Sequence, residues 1–314
     1  MNLIEKFLGN NSQAFLKKFV LVFSGSTFSQ VITLATYPIL TRVFSVEEFG
    51  IFTNFFGLMV IFSVIQSLKL QHAIVTEKNE LNTFYLLIIC LILPLINSFL
   101  LYLIFQFDIS FFQFINENNL LFPVILSGLL MVFYDVGYNF LAKYGLFKNL
   151  VFIKIVQNSL IVIFQLLYGF YLNDNNEIPF SNGLIAGFIF GQVFSLLLLM
   201  FILIKYSLTK VKSKLQFNLM IYVKILLNHK KFIYYSMPAE FINSLSYYLV
   251  VYFITINFGL FYAGLYGLSQ RVVMGPLNLI SLSLLDIFKN YASEEIIHSN
   301  SINNSYKLMF KILF

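Results

Sequence analysis

Three ionisable side chains stand inside long apolar stretches: Asp135, Glu240 and Arg271. A charge at membrane depth is costly, so such residues mark ligand or ion paths by default. A guanidinium there could bind an anionic headgroup through its planar fork of donors. A carboxylate there could carry a coupling proton. The same residues allow a plainer reading, an Arg271–Glu240 pair that locks two neighbouring helices. At 1.5 Å per residue, Asp135 and Glu240 lie roughly 10–12 Å from the ends of their stretches, and Arg271 lies near the middle of its own. No P-loop, HExxH, CxxC, GxSxG or GxGxxG pattern is present, and His72, His229 and His298 are far apart in sequence. No enzyme chemistry, metal or cofactor is expected.

The elements that must hold these residues are membrane helices. The chain is 59% hydrophobic and 11% charged, which no ordinary soluble domain matches. A helix needs roughly 20 apolar residues to cross about 30 Å of hydrocarbon. The uncharged intervals give eight spans, at 19–41, 49–68, 82–105, 120–142, 151–172, 182–205, 232–256 and 260–285. The last two form a tight helical hairpin whose tip is Asn257-Phe258-Gly259. The expected fold class is an all-α polytopic membrane protein.

Charge orders the loops. Lys6, Lys17 and Lys18, then Lys69 and Lys78, then Lys143, Lys148 and Lys154, then Lys205 to Lys231 fall on one side. Arg42 is the one cation of the other side, among Glu47, Glu48, Asp108, Glu117, Asp174 and Glu177. Positive charge collects in cytoplasmic loops, so the N-terminus is expected in the cytoplasm and the chain in the inner (plasma) membrane. The net charge of +6 then suits anionic lipid headgroups, and no nucleic-acid partner is expected. The lone Cys90 lies in an apolar span, so no disulfide framework exists.

Three parts follow: a six-helix bundle over 1–206, a cytoplasmic basic linker over 207–231, and a partial second bundle over 232–314. The linker holds Lys210, Lys212, Lys214, Lys224, Lys230 and Lys231 and no acid. Val211, Leu215, Leu219, Tyr222 and Leu226 recur at helical steps, which predicts an amphipathic helix on the leaflet or a connector that only sets topology. Tyr306 to Phe314 reads as the start of a ninth span, so the second bundle is expected to be cut short. Gln30, Asn54, Gln66, Asn139, Gln165, Gln192, Asn243, Gln270 and Asn278 place uncharged polar groups in the spans, to bond sugar hydroxyls or to join helices.

Several segments resemble the polysaccharide-biosynthesis flippases. The first is Tyr37-Pro38-Ile39-Leu40-Thr41-Arg42 followed by Ser45-Val46-Glu47-Glu48-Phe49-Gly50. The second runs from Asn139 through Lys143 and Phe147-Lys148 to Val156-Gln157-Asn158. The third is Ala263-Gly264-Leu265-Tyr266 with Arg271 and Pro276. These look like the Wzx-type O-antigen and oligosaccharide flippases of the multidrug/oligosaccharidyl-lipid/polysaccharide exporter superfamily. The resemblance implies a two-bundle exporter fold around a central cavity. It also implies flipping of a polyprenyl-pyrophosphate-linked oligosaccharide to the outer leaflet by alternating access, for surface polysaccharide such as lipopolysaccharide O-antigen. Arg271, Arg42 and Lys143 match positions where the family's substrate-binding cations occur, and Glu240 and Asp135 become candidates for proton or ion coupling. Partners would be the lipid-linked oligosaccharide, membrane lipids and other polysaccharide-assembly proteins. A small-molecule exporter of the same fold is the alternative, with Asp135 and Glu240 facing cationic drugs. A membrane glycan polymerase or acyltransferase is a further one, which the short external loops disfavour.

Overall fold

A computed structural model of the chain describes residues 9–105, 120–172, 182–210 and 219–299, together with Tyr306 and Phe310. Asp108, Glu117, Asp174, Glu177, the linker positions 211–218 and almost all of the expected ninth span lie outside them. Helix dominates and no strand occurs among the described residues. That follows from the solvent: in hydrocarbon every backbone polar group must be satisfied within its own segment.

The chain begins with α1 (Gly9–Val43) and α2 (Val46–Ser67). Ser45 caps α2 through a capping box. Its Oγ accepts from the Glu48 backbone N–H at 3.2 Å, and Glu48 Oε2 accepts from the Ser45 N–H at 2.7 Å. Both orphan donors are thereby satisfied. Leu68 and Lys69 end α2 with φ of 47° and 55°. Short helical turns at Leu70–His72 and Ala73–Thr76 lead to α3 (Glu80–Phe105). Then come α4 (Leu121–Lys143), α5 (Phe147–Leu167) with a wide turn over Tyr168–Leu172, and α6 (Gly183–Lys210). The ten-residue α7 (Leu219–Asn228) and a wide turn over Phe232–Ser236 precede α8 (Met237–Phe258) and α9 (Leu260–Ser299).

Seven helices are long and apolar enough to cross a membrane: 20–43, 46–67, 80–105, 121–143, 147–170, 183–206 and 232–258. Their ends fall within four residues of the first seven expected spans. The expected eighth, 260–285, lies inside α9 but is not among these seven. Gly264, Gly267 and Gly275 of this stretch face other helices, and Gln270 and Arg271 face a cavity.

The hairpin tip stands where the sequence puts it. Gly259 has φ 88°, a conformation only glycine adopts without strain, and links α8 to α9. From there α9 runs in the same direction as α2 and packs along it at very short range. A Cβ on Gly50 would lie 2.1 Å from the Leu260 carbonyl oxygen, and one on Gly264 would lie 2.0 Å from the Val46 carbonyl oxygen. One turn further along α9, Gly267 receives Thr53. Small residues that let backbones touch are how helices associate without a hydrophobic driving force.

Two apolar cores fill the helix group. One gathers Leu70, Ile74, Leu86, Phe140, Leu199 and Ile225. The other gathers Phe49, Phe55, Phe62, Ile185, Phe188 and Tyr248. Tyr248 comes from α8, so the hairpin shares the second core with the first six long helices. Substituting Gly264→Val should push Val46 away and cost about 1–3 kcal/mol of overpacking. A lowered thermal midpoint of the purified protein in detergent checks this, against Leu265→Ala at the exposed neighbouring position.

Candidate functional site: a cavity between α1, α2, α5, α8 and α9

Helical spacing on α8 brings Glu240, Asn243, Ser244, Tyr247, Tyr248 and Val251 to one face. On α9 the same rule aligns Tyr266, Gly267, Gln270, Arg271 and Met274. These faces meet Gln30 and Tyr37 of α1, Phe52 and Phe56 of α2, and Asn158 and Gln165 of α5 around a cavity of about 580 Å³. Glycine makes room for it. A Cβ on Gly57 would stand 2.9 Å from the Tyr248 ring, and one on Gly275 would stand 2.5 Å from the Gln30 amide.

Arg271 is the cation of this wall. Its guanidinium carbon lies 4.5 Å from the Phe52 ring centre and 5.7 Å from that of Tyr37. Both rings offer cation–π attraction. No carboxylate comes within ion-pair distance of it among the described residues. A guanidinium held by ring faces keeps its N–H donors for an anion.

Glu240 lies at the far end of the same cavity and faces Lys69 Nζ at 3.9 Å. The Arg271–Glu240 pair is therefore not formed, and Lys69 takes that place. Asp135 is half-buried nearby, in the combined field of Lys69, Lys289 and Glu240. Lys289 Nζ donates to Asn139 Oδ1 at 3.0 Å. His72 sits in this group without a charge. Burial, then Lys289 and Lys69, bring its pKa down from 6.5 to about 4.

The remaining two sequence candidates lie elsewhere. Arg42 is exposed at the end of α1. Lys143 is buried away from the cavity, donating to the Glu77 carbonyl at 2.7 Å and to Thr83 Oγ1 at 2.6 Å. It anchors the loop before α3 to the end of α4, and Asn290 of α9 donates to its carbonyl at 3.1 Å.

The uncharged polar residues divide into two sets. Asn54 donates to Thr255 Oγ1 at 2.8 Å, Gln66 to the Ile125 carbonyl at 2.9 Å, and Gln165 to the Leu184 carbonyl at 3.1 Å. These join helices, though Gln165 also borders the cavity. Gln30, Asn243 and Gln270 line the cavity, and Gln270 donates to the Tyr266 hydroxyl at 2.6 Å. Sequence reasoning overlooked the aromatic wall of Phe52, Tyr247 and Tyr248. The signal was there, in the three- and four-residue steps from Glu240.

Comparisons with protein-family models, with curated proteins and with solved structures return no match.

The unfolded chain's imidazole at position 72 protonates near 6.5, whereas the folded one resists protonation down to about 4. Acidification from pH 6.5 to 4 therefore favours unfolding through this group, and its contribution is intact above pH 6.5. Thermal melts across that window should show a shallower decline for His72→Gln than for the parent chain.

Proposed function

We propose that this chain carries an anionic, lipid-linked oligosaccharide from the cytoplasmic to the outer leaflet of the plasma membrane by alternating access, as the polysaccharide-biosynthesis flippases do. One observation carries the reading: Arg271, free of any carboxylate among the described residues, stands in the polar and aromatic wall of a cavity between helices. A glycan cannot cross hydrocarbon unaided, because each hydroxyl stripped of its water partners costs several kcal/mol. Amides such as Asn243 and Gln30 replace those partners, and the exposed Tyr247 offers a ring face to sugar rings. The guanidinium matches a pyrophosphate in charge and in bidentate geometry. The cavity has the size of small-ligand pockets, enough for the pyrophosphate and the first sugars. The lipid tail stays in the bilayer.

In this reading α9 is the eighth crossing, running from Leu260 beside Gly50 to Lys289 beside Asn139. The hairpin of α8 and α9 opens the second bundle of the exporter fold, with the lysine-rich end in the cytoplasm. Glu240 is the coupling group, since it shares the cavity with Arg271. That carboxylate also favours a second reading, export of a small cationic molecule.

Deleting the gene in its own host separates the two. Loss of surface glycan, with complete repeat units held on the cytoplasmic leaflet, supports the flippase. Normal glycan with new sensitivity to cationic drugs supports the exporter. Losing one charged hydrogen-bond donor removes about 1.5–3 kcal/mol. Arg271→Ala should therefore slow flipping roughly ten- to a hundredfold with normal membrane insertion, and normal glycan display in that variant rules the assignment out. Glu240→Gln should flatten the dependence of transport on the proton gradient, as measured in vesicles with an imposed pH difference.

A further inference from the structure

The short helix α7 has two apolar faces, and among the described residues only one of them is buried against protein. Tyr222 packs edge-on against Tyr85 of α3 with ring centres 5.2 Å apart. Ile225 is 4% exposed in the core, and Ile221 and Leu226 pack beside it. Tyr222 and Leu226 belong to the stripe that the sequence assigns to the leaflet, and the structure turns them inward.

The opposite face is open. Val223 is 56% exposed and Leu227 55%, one helical turn apart on a single stripe. Lys224, Lys230 and Lys231 flank it, all exposed, and Tyr234 and Tyr235 follow. No acid occurs between Lys205 and Glu240. Ten residues make a helix of about 15 Å, far too short to span. Its height is fixed by Tyr85, which lies about 8 Å along α3 from Glu80. That is the depth of the boundary between headgroups and acyl chains, where an apolar stripe edged by lysine and tyrosine is stable.

We propose that the outer face of α7 seats in an anionic lipid leaflet, with Val223 and Leu227 entering the acyl boundary and Lys224, Lys230 and Lys231 binding lipid phosphates. The charge pattern selects this occupant over a soluble protein. Three lysines edge the stripe, and among the described residues no carboxylate stands within ion-pair distance of them, which suits a surface of dense negative charge.

The chain contains no tryptophan, so one introduced indole reports alone. Val223→Trp and Leu227→Trp place it at exposed positions that do not disturb the core. The full chain is reconstituted in vesicles of phosphatidylcholine, or of an equal mixture with phosphatidylglycerol, each with brominated acyl chains as quencher. In the mixed vesicles the expected emission is blue-shifted and strongly quenched. Combining the reporter with Lys224→Glu, Lys230→Glu and Lys231→Glu should return the emission to the red and remove the quenching. A red, unquenched reporter in both lipids overturns the proposal and leaves the face to a soluble partner. Equal quenching in both lipids, unchanged by the charge reversals, also overturns it, because burial would then not depend on anionic lipid.

Discussion

The backbone contact between α2 and α9 governs the rest. Gly50 admits the carbonyl of Leu260, and Gly264 admits the carbonyl of Val46. Two helices that touch at two carbonyls have no freedom to slide. Arg271 lies seven residues, or two turns, beyond Gly264 on the same face of α9. Phe52 lies just past Gly50 on α2. The contact therefore sets which ring the guanidinium meets, and the 4.5 Å stacking is a consequence of register. The capping box at Ser45 serves the same end, since it fixes where α2 begins and so where Val46 and Gly50 stand.

The helices around the cavity are joined by different chemistry at their two ends. At the hairpin end the join is glycine against carbonyl, with Asn54 bonded to Thr255. At the lysine-rich end side chains reach across from many elements: Lys69 to Glu240, His229 to Glu77 at 2.9 Å, Lys289 to Asn139, and Asn290 to the Lys143 carbonyl. A partly exposed ion pair at 3.9 Å contributes little to stability. Such contacts exchange easily, whereas backbone packing does not. The chain thus has one stiff end and one end joined by replaceable bonds.

Much of the fold was legible because hydropathy is a one-dimensional signal. Eight spans stood out by length and apolarity, seven of them matched by long apolar helices among the described residues, and Gly259 marked the hairpin turn. The site was half legible. Arg271 and Glu240 stood out as charges at membrane depth, but their partners come from other helices. Lys69 lies 171 residues from Glu240 in sequence, and no local pattern announces that pairing. Gln66 and Gln270 look alike in sequence. Only packing shows that one holds a carbonyl of α4 and the other lines the cavity. Lys143 read as a ligand cation, and its burial against Glu77 and Thr83 appears only when α3 and α4 are brought together.

The paired left-handed residues at the end of α2 have a mechanical meaning. Leu68 and Lys69 both carry side chains in a region that glycine usually occupies, at a cost of order 1 kcal/mol or more each. That basin is narrow, so the backbone at Lys69 has few neighbouring conformations. From that backbone its amine reaches across to the half-exposed Glu240 carboxylate of α8 at 3.9 Å. The turn that ends α2 thus gives the Glu240 end of α8 a fixed reference point, set by two backbone torsions rather than by packing.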